Sequence, residues 1–240
     1  MWNMTTSVDR RADVTVPFLF VNPKSYLYGQ KSLELARAAD RICQQYGVTI
    51  FFTCPYVDLR LIAAETSHII VTAQNMDSLE PGRGMGAVLP ESLVEAGARA
   101  VVLNHAEHPK TLAELTACIR RARQLGLVTI VCADSVPEAR AVAELGAEVI
   151  LAEPTQLIGT GTTAGPEYIV EATQAIRSVS PEIKVMIASG ITTAEDCYEV
   201  VFHGADGTGS TSGIVKAPDP ERRLEEMVAA IVKAARDRQT

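Results

Sequence analysis

Few polar side chains directly follow the apolar runs of this sequence, and those that do form a set. Asn22-Pro23-Lys24 follows PFLFV, Asn104-His105-Ala106-Glu107 follows AVVL, and Glu153-Pro154 follows EVILA and leads into TQLIGTG. Two more runs end in turns of small residues, Ser189-Gly190-Ile191 and Gly209-Ser210-Thr211-Ser212-Gly213. A carboxylate, an imidazole and an ammonium suit proton transfer beside a carbonyl. The carboxylate removes a carbon-bound proton, and a hydrogen-bond donor stabilises the enediolate oxygen that forms. Glu153 is the candidate base and His105 the candidate donor. Lys24 can neutralise the developing charge and a substrate phosphate, and Asn22 can position both the lysine and substrate oxygens. Glu107 is a candidate ion-pair partner for Lys24. Glycine turns let backbone N–H groups approach an anion closely, and Thr211 and Ser212 add hydroxyl donors. The ligand these turns suggest is a phosphorylated small molecule.

Taken singly, each residue also has a plainer reading. Lys24 reads as a solvated loop lysine, His105 as a hydrogen-bonded structural histidine, Glu153 as a rim carboxylate, and the Gly/Ser/Thr run as a turn. The elements decide whether the residues meet. Apolar, largely β-branched runs begin at Pro17, Val48, His68, Ala100, Leu127, Glu148 and Lys184, as expected of parallel strands covered on both faces. An eighth run, ADGTGS from Ala205, is a weak strand by propensity because of its glycines. Between them lie amphipathic helical patterns at 32–47, 111–126, 135–146, 166–179, 192–204 and 219–238. Gly47 supplies a C-terminal cap, Thr111 with Glu114 a capping box, and Pro137 and Gly146 the two ends of the third pattern. Strand–helix alternation forces a parallel sheet. Eight units favour closure into one α/β domain, a (β/α)8 barrel, over an open doubly wound sheet. In such barrels functional residues lie at the C-terminal ends of the strands, which is where the set above falls.

Bulk properties narrow the function. The 240 residues suit one domain with a large core. The formal net charge is −7 and no stretch is strongly basic, which disfavours nucleic acid. No apolar run is long enough to span a bilayer, so no membrane role is expected. Five cysteines without a CxxC pair suggest a reducing compartment and a cytoplasmic protein rather than a disulfide framework. His68, His105, His108 and His203 lack HExxH-like spacing, so no metal site is expected, and a proton shuttle of this kind calls for no cofactor. Residues 1–16 are polar and charged and read as a frayed tail, leaving 17–240 for the barrel.

The segments VNPKSY, AQNMD, LNHAEH, AEPTQLIGTG and GSTSGIVKAPDPE, in that order, resemble the triosephosphate isomerase family, especially its short archaeal type. The resemblance runs from about Phe18 to the last helix. It implies a TIM barrel, a homodimer or homotetramer, and interconversion of dihydroxyacetone phosphate and glyceraldehyde 3-phosphate through an enediolate. It implies Glu153 as base, His105 as neutral electrophile, and Lys24 and Asn22 as substrate-binding residues. The backbone around Ile158 and Gly159, with Gly190, Thr211 and Ser212, is implied to hold phosphate, and Pro154 to Gly161 to form a lid. Three supporting positions depart from the family pattern. Pro23 stands where an aromatic residue is usual, Ala106 where serine is usual, and Met85-Gly86 where a Thr-Gly pair normally reaches into the neighbouring subunit. These departures leave room for a four-carbon ketose phosphate of the erythrulose-phosphate type as substrate. Further alternatives are a Schiff base on Lys24 and a non-catalytic phosphate-binding barrel.

Overall fold

A computed structural model describes residues 11–157, 160 and 163–239. Eight parallel strands close into a barrel in sequence order. They are β1 (Phe18–Val21), β2 (Thr49–Cys54), β3 (Ile70–Ala73), β4 (Ala100–Leu103), β5 (Val128–Ala133), β6 (Val149–Ala152), β7 (Lys184–Ile187) and β8 (Gly207–Ser210). The helices among the described residues are α1 (Gly29–Tyr46), α2 (Leu59–Glu65), α3 (Pro90–Glu95), α4 (Leu112–Gln124), α5 (Val136–Glu144), α6 (Pro166–Val179), α7 (Ala194–Phe202), α8 (Ser212–Val215) and α9 (Pro220–Asp237). None of them is long and apolar enough to cross a membrane.

The alternation is therefore as read from the sequence, and six helices fall on the six helical patterns. The three short helices α2, α3 and α8 had no amphipathic run long enough to announce them. Local signals work where expected: Gly47 caps α1 at φ +65°, and Thr111 and Glu114 make the reciprocal capping box of α4. Thr193 and Asp196 make a second capping box, on α7.

Period-two side-chain alternation divides the core into two layers. Phe18, Phe20, Phe51, Ile70, Val102, Ile130, Leu151 and Met186 point into the barrel, while Leu19, Val21, Ile50, Phe52, Val101 and Ile150 pack outward against the helices. The weak eighth strand has a packing reason. A Cβ on Gly207 would lie 2.4 Å from the Phe18 ring, and one on Gly209 would lie 2.8 Å from the Phe20 carbonyl oxygen. Glycine on β8 makes room for the aromatic residues of β1, and neighbouring pairing overrides propensity.

The segment expected to fray is engaged over residues 11–16. Ala12 and Val14 pack against the inner cluster at the N-terminal end of the barrel, Arg11 pairs with Glu148, and the Thr15 N–H donates to Thr49 Oγ1 at 3.0 Å. All five cysteines are buried thiols.

Candidate active site

The same alternation carries polar residues to the C-terminal mouth. Continuing the inward parity of β1 (Phe18, Phe20) gives Asn22, and continuing that of β6 (Val149, Leu151) gives Glu153. Parity on β2 and β3 likewise brings Thr53 and Gln74 to the mouth. A cavity of about 340 Å³ opens there. Asn22, Lys24, His105, Glu107, Glu153, Gly190, Thr211 and Ser212 all line it, so every candidate within the described residues meets in one place. Ile158 and Gly159 lie outside the described residues, as does part of the expected lid. Of that lid, Pro154–Leu157 and Thr160 are described.

Strain concentrates at this mouth. Among the described residues, the non-glycine positions with positive φ are Lys24 (48°), Asn104 (59°) and Ser189 (98°), which follow β1, β4 and β7. Such conformations persist only where surroundings over-determine them. For Lys24 the determinants are visible. Asn22 Oδ1 accepts the Lys24 N–H at 3.1 Å across Pro23, an Asx-turn, and Thr53 Oγ1 donates to the same oxygen at 2.6 Å. Gln74 Nε2 donates to the Lys24 carbonyl at 2.9 Å. Pro23 sits at the centre of that turn, where its fixed φ and missing N–H suit the geometry, so this departure is structurally consistent. With Oδ1 occupied, the amide Nδ2 is what Asn22 can offer the cavity. For Asn104, the side chain donates to the Cys132 carbonyl and to Glu138 Oε1, both at 3.1 Å, and accepts from the Lys110 N–H at 3.0 Å.

His105 Nε2 faces Glu153 Oε2 at 4.0 Å, and both side chains are largely buried. That spacing is too long for a direct hydrogen bond. The Glu107 N–H donates to His105 Nδ1 at 3.1 Å, so Nδ1 is an acceptor and the proton of the neutral ring sits on Nε2, facing the cavity. Burial pushes the His105 pKa down, and Lys24 adds to the effect while Glu107 opposes it. Burial pushes the Glu153 carboxyl up, against the lowering effects of Lys24 and of a hydrogen bond from Ser189. Lys24 Nζ and Glu107 Oε1 pair at 2.7 Å, and this contact holds the Glu107 pKa down. Beneath Glu153, burial pushes the Cys132 thiol well up, with Glu153 adding to the effect, so it stays protonated.

The two glycine turns touch. A Cβ on Gly213 would lie 2.6 Å from Ser210 Oγ and 2.8 Å from the Ile191 carbonyl, which forces a small residue where the β8 turn meets the β7 turn. Ser210 Oγ donates to the Ile191 carbonyl at 2.7 Å. The arrangement can hold an anion against Gly190, Thr211 and Ser212 while a neutral N–H donor and a buried carboxylate flank the atoms beyond it. The sequence alone does not single out Thr53, Gln74, Tyr26 and Lys216, and it shows Ser189 only as part of a turn. Parity of the strands was a usable signal for Thr53 and Gln74. Tyr26 and Lys216 meet only in space, with Lys216 Nζ 5.5 Å from the centre of the Tyr26 ring at the cavity rim.

The family model for triosephosphate isomerase matches residues 17–235. The chain belongs to the triosephosphate isomerase family. Its relatives within that family include the triosephosphate isomerase of Sulfolobus acidocaldarius, 37% identical over 227 residues that cover 92% of this chain and 98% of the relative. That of Methanopyrus kandleri is 38% identical over 222 residues, covering 90% and 98%. That of Methanocaldococcus jannaschii is 34% identical over 218 residues, covering 89% and 99%. The resemblance to the short archaeal type is thus met by archaeal relatives over nearly their whole length. The triosephosphate isomerase family is one of isomerases, so the chain is an enzyme of the intramolecular oxidoreductase class.

Proposed function

We propose that this enzyme interconverts dihydroxyacetone phosphate and glyceraldehyde 3-phosphate, with Glu153 as the base and His105 as the electrophile. The observation that carries the reading is the facing pair: a carboxylate pushed up by burial and a neutral imidazole presenting Nε2–H, 4.0 Å apart in one cavity. Substrate phosphate sits against Gly190, Thr211 and Ser212. Glu153 takes a proton from the carbon next to the carbonyl, and that carbonyl oxygen gains the negative charge. His105 Nε2–H hydrogen-bonds the enediolate, and the Lys24 ammonium offsets its charge. Asn22 and Glu107 fix Lys24 in its strained turn. Returning the proton from Glu153 to the neighbouring carbon, with a proton moving between the two oxygens, completes the isomerisation without a net change in protons.

The enzyme works as a homo-oligomer in this reading. The loop between Asp77 and Val88 is pinched at its stem by Asp77 N–H donating to the Val88 carbonyl at 3.0 Å and the Val88 N–H donating to Asp77 Oδ2 at 2.8 Å. It holds Met85 out in solvent. Tyr26, Tyr28, Tyr56 and Val57, which follow the first two strands, are exposed as well. Light scattering at micromolar concentration tests this, and a monomer for both the wild type and Met85→Asp would rule it out.

The deciding experiment is a coupled isomerase assay with triose and tetrulose phosphates side by side. The expected result is a much higher kcat/KM for the triose. A higher value for the tetrulose would replace the substrate assignment, and turnover of neither would reduce the chain to a phosphate-binding barrel.

A further inference from the structure

Ser189 is a non-glycine residue held at φ 98°, almost fully buried, at the point where β7 enters the mouth. A serine there is strained by its Cβ, and glycine would fit better. Its hydroxyl shows what the strain secures. Ser189 Oγ donates to the Pro154 carbonyl at 3.2 Å, and the same hydroxyl acts on the Glu153 carboxylate to lower its pKa. It therefore holds the peptide unit directly after the base while remaining able to donate to the base itself. We propose that Ser189 is the positioning residue for Glu153, its one hydroxyl proton alternating between the Pro154 carbonyl and the Glu153 carboxylate. This deepens the isomerase reading and rests on it.

The argument is one of donor capacity. A serine hydroxyl has one proton, whereas the carbonyl and the ionised carboxylate only accept. When Glu153 is ionised, its charge makes it the stronger acceptor and draws the hydroxyl proton. When Glu153 has taken a proton from substrate, the neutral carboxyl is the weaker acceptor, and the hydroxyl rotates back to the Pro154 carbonyl. No proton leaves serine in either step. Among the described residues, the other flank of Glu153 offers no substitute. It faces a cavity of about 270 Å³ lined by Ala106, Cys132, Asp134 and Thr155, where Ala106 has no hydroxyl and the Thr155 hydroxyl donates to Asp134 at 3.4 Å.

Other groups also act on this carboxylate. Lys24 after β1 lowers its pKa, and Glu107 after β4 raises it. His105 lies at 4.0 Å, Cys132 on β5 lies below, Tyr168 on α6 feels its charge, and Asp134 and Glu138 line the neighbouring cavity. None of these is altered by removing one hydroxyl from the turn after β7, so a serine variant isolates its contribution.

The experiment compares Ser189→Ala and Ser189→Gly with the wild type. Alanine removes the hydroxyl and keeps the strain; glycine removes both and folds without penalty at this φ. Both variants are expected to lose about 5- to 20-fold in kcat. Both are also expected to move the acid limb of the kcat/KM profile up by about half a pH unit to one unit, because a donor to the ionised form is gone. Inhibition by inorganic phosphate should stay within about twofold of wild type, since the phosphate turn is untouched. An acid limb that does not move in either variant overturns the proposal. So does a glycine variant with wild-type kinetics, which would leave only backbone strain, or phosphate inhibition weakened in step with kcat/KM, which would place the effect in the phosphate turn. If the alanine variant does not fold, the glycine variant decides alone. Wild-type turnover of triose phosphate, and its loss in Glu153→Gln, test the underlying reading separately.

Discussion

The two ends of this barrel are built from the same eight strands and obey opposite rules. At the N-terminal floor most inward residues are apolar: Phe18, Phe51, Ile70, Val128 and Val149 fill the interior, and Ala12 and Val14 cover it. At the C-terminal mouth the next inward positions are Asn22, Thr53, Gln74 and Glu153 around a cavity, and the non-glycine residues with positive φ among those described gather there. The floor accumulates packing, while the mouth spends backbone strain and carboxylate burial to hold reactive groups in place. Substitutions at the two ends should separate into losses of rate and losses of stability.

The largest expected effect is at the mouth. Glu153→Gln should lower kcat/KM by about 10³- to 10⁴-fold, roughly 4–5.5 kcal/mol in the barrier. The melting temperature should hold or rise, because a buried carboxylate pushed toward neutrality is replaced by a neutral amide. The same residue sets a pH dependence. Glu153 must be ionised to accept a proton, and burial raises its pKa, so kcat/KM should fall with falling pH at a midpoint above the usual carboxylate value of about 4.3. Burial lowers the His105 pKa, so protonating that ring takes a more acidic medium than a free imidazole needs. A pH–rate profile whose acid limb lies at or below the ordinary glutamate range would break the assignment.

The next effect belongs to the floor. Gly207→Ala places a methyl 2.4 Å from the Phe18 ring and 2.6 Å from its carbonyl oxygen, and the backbone contact cannot yield by a rotamer change. A loss of about 3 kcal/mol in urea unfolding is expected, with kcat/KM of the folded fraction near wild type. A folded variant with intact stability and lost activity would erase the distinction between the ends.

How much of this was legible depends on how local the cause is. Eight alternating units, the Thr111 capping box and the residues at the strand ends are carried by neighbours in sequence, and they could be read there. The role of β8 could not be read from its own residues, since Gly207 and Gly209 are explained by Phe18 and Phe20 on another strand. The helices α2 and α3, with seven and six residues, are too short for periodicity to declare. Within the site, Glu153, His105 and Lys24 were visible by type and position. Thr53 and Gln74 were not visible, and Ser189 was visible only as part of a turn, because their importance lies in the atoms they hold: Asn22 Oδ1, the Lys24 carbonyl and the Pro154 carbonyl. Residues 11–16 alternate polar and apolar side chains, and Ala12 and Val14 among them pack against the barrel interior.

A smaller effect returns to the mouth and tests whether strain there is held by specific bonds. Asn22→Ala removes the acceptor that closes the turn around Lys24 and leaves the Thr53 hydroxyl without its partner. A loss of about 30-fold in kcat/KM, roughly 2 kcal/mol, is expected, together with a modest loss of stability. If Lys24 kept its position without Asn22, the rate would be nearly unchanged, and the Asx-turn would be a consequence of the loop rather than its cause.

The smallest effect is at the floor, and it asks whether the cover formed by residues 11–16 works through charge or through packing. Arg11 pairs with Glu148 at an edge where the arginine is about half exposed, and solvent screens such a pair. Arg11→Ala should therefore cost no more than about 0.5 kcal/mol, and the cost should shrink further in high salt. Val14→Ser acts on the apolar contact with the inner cluster instead, and should cost more than Arg11→Ala at any ionic strength. Both variants should keep wild-type kcat/KM, since the length of the barrel separates them from Glu153. Chemical denaturation at low and high salt reads the ranking. If Arg11→Ala proved the costlier of the two and remained so in high salt, the floor would be closed by an ion pair that solvent fails to screen, and packing would not be what distinguishes it from the mouth.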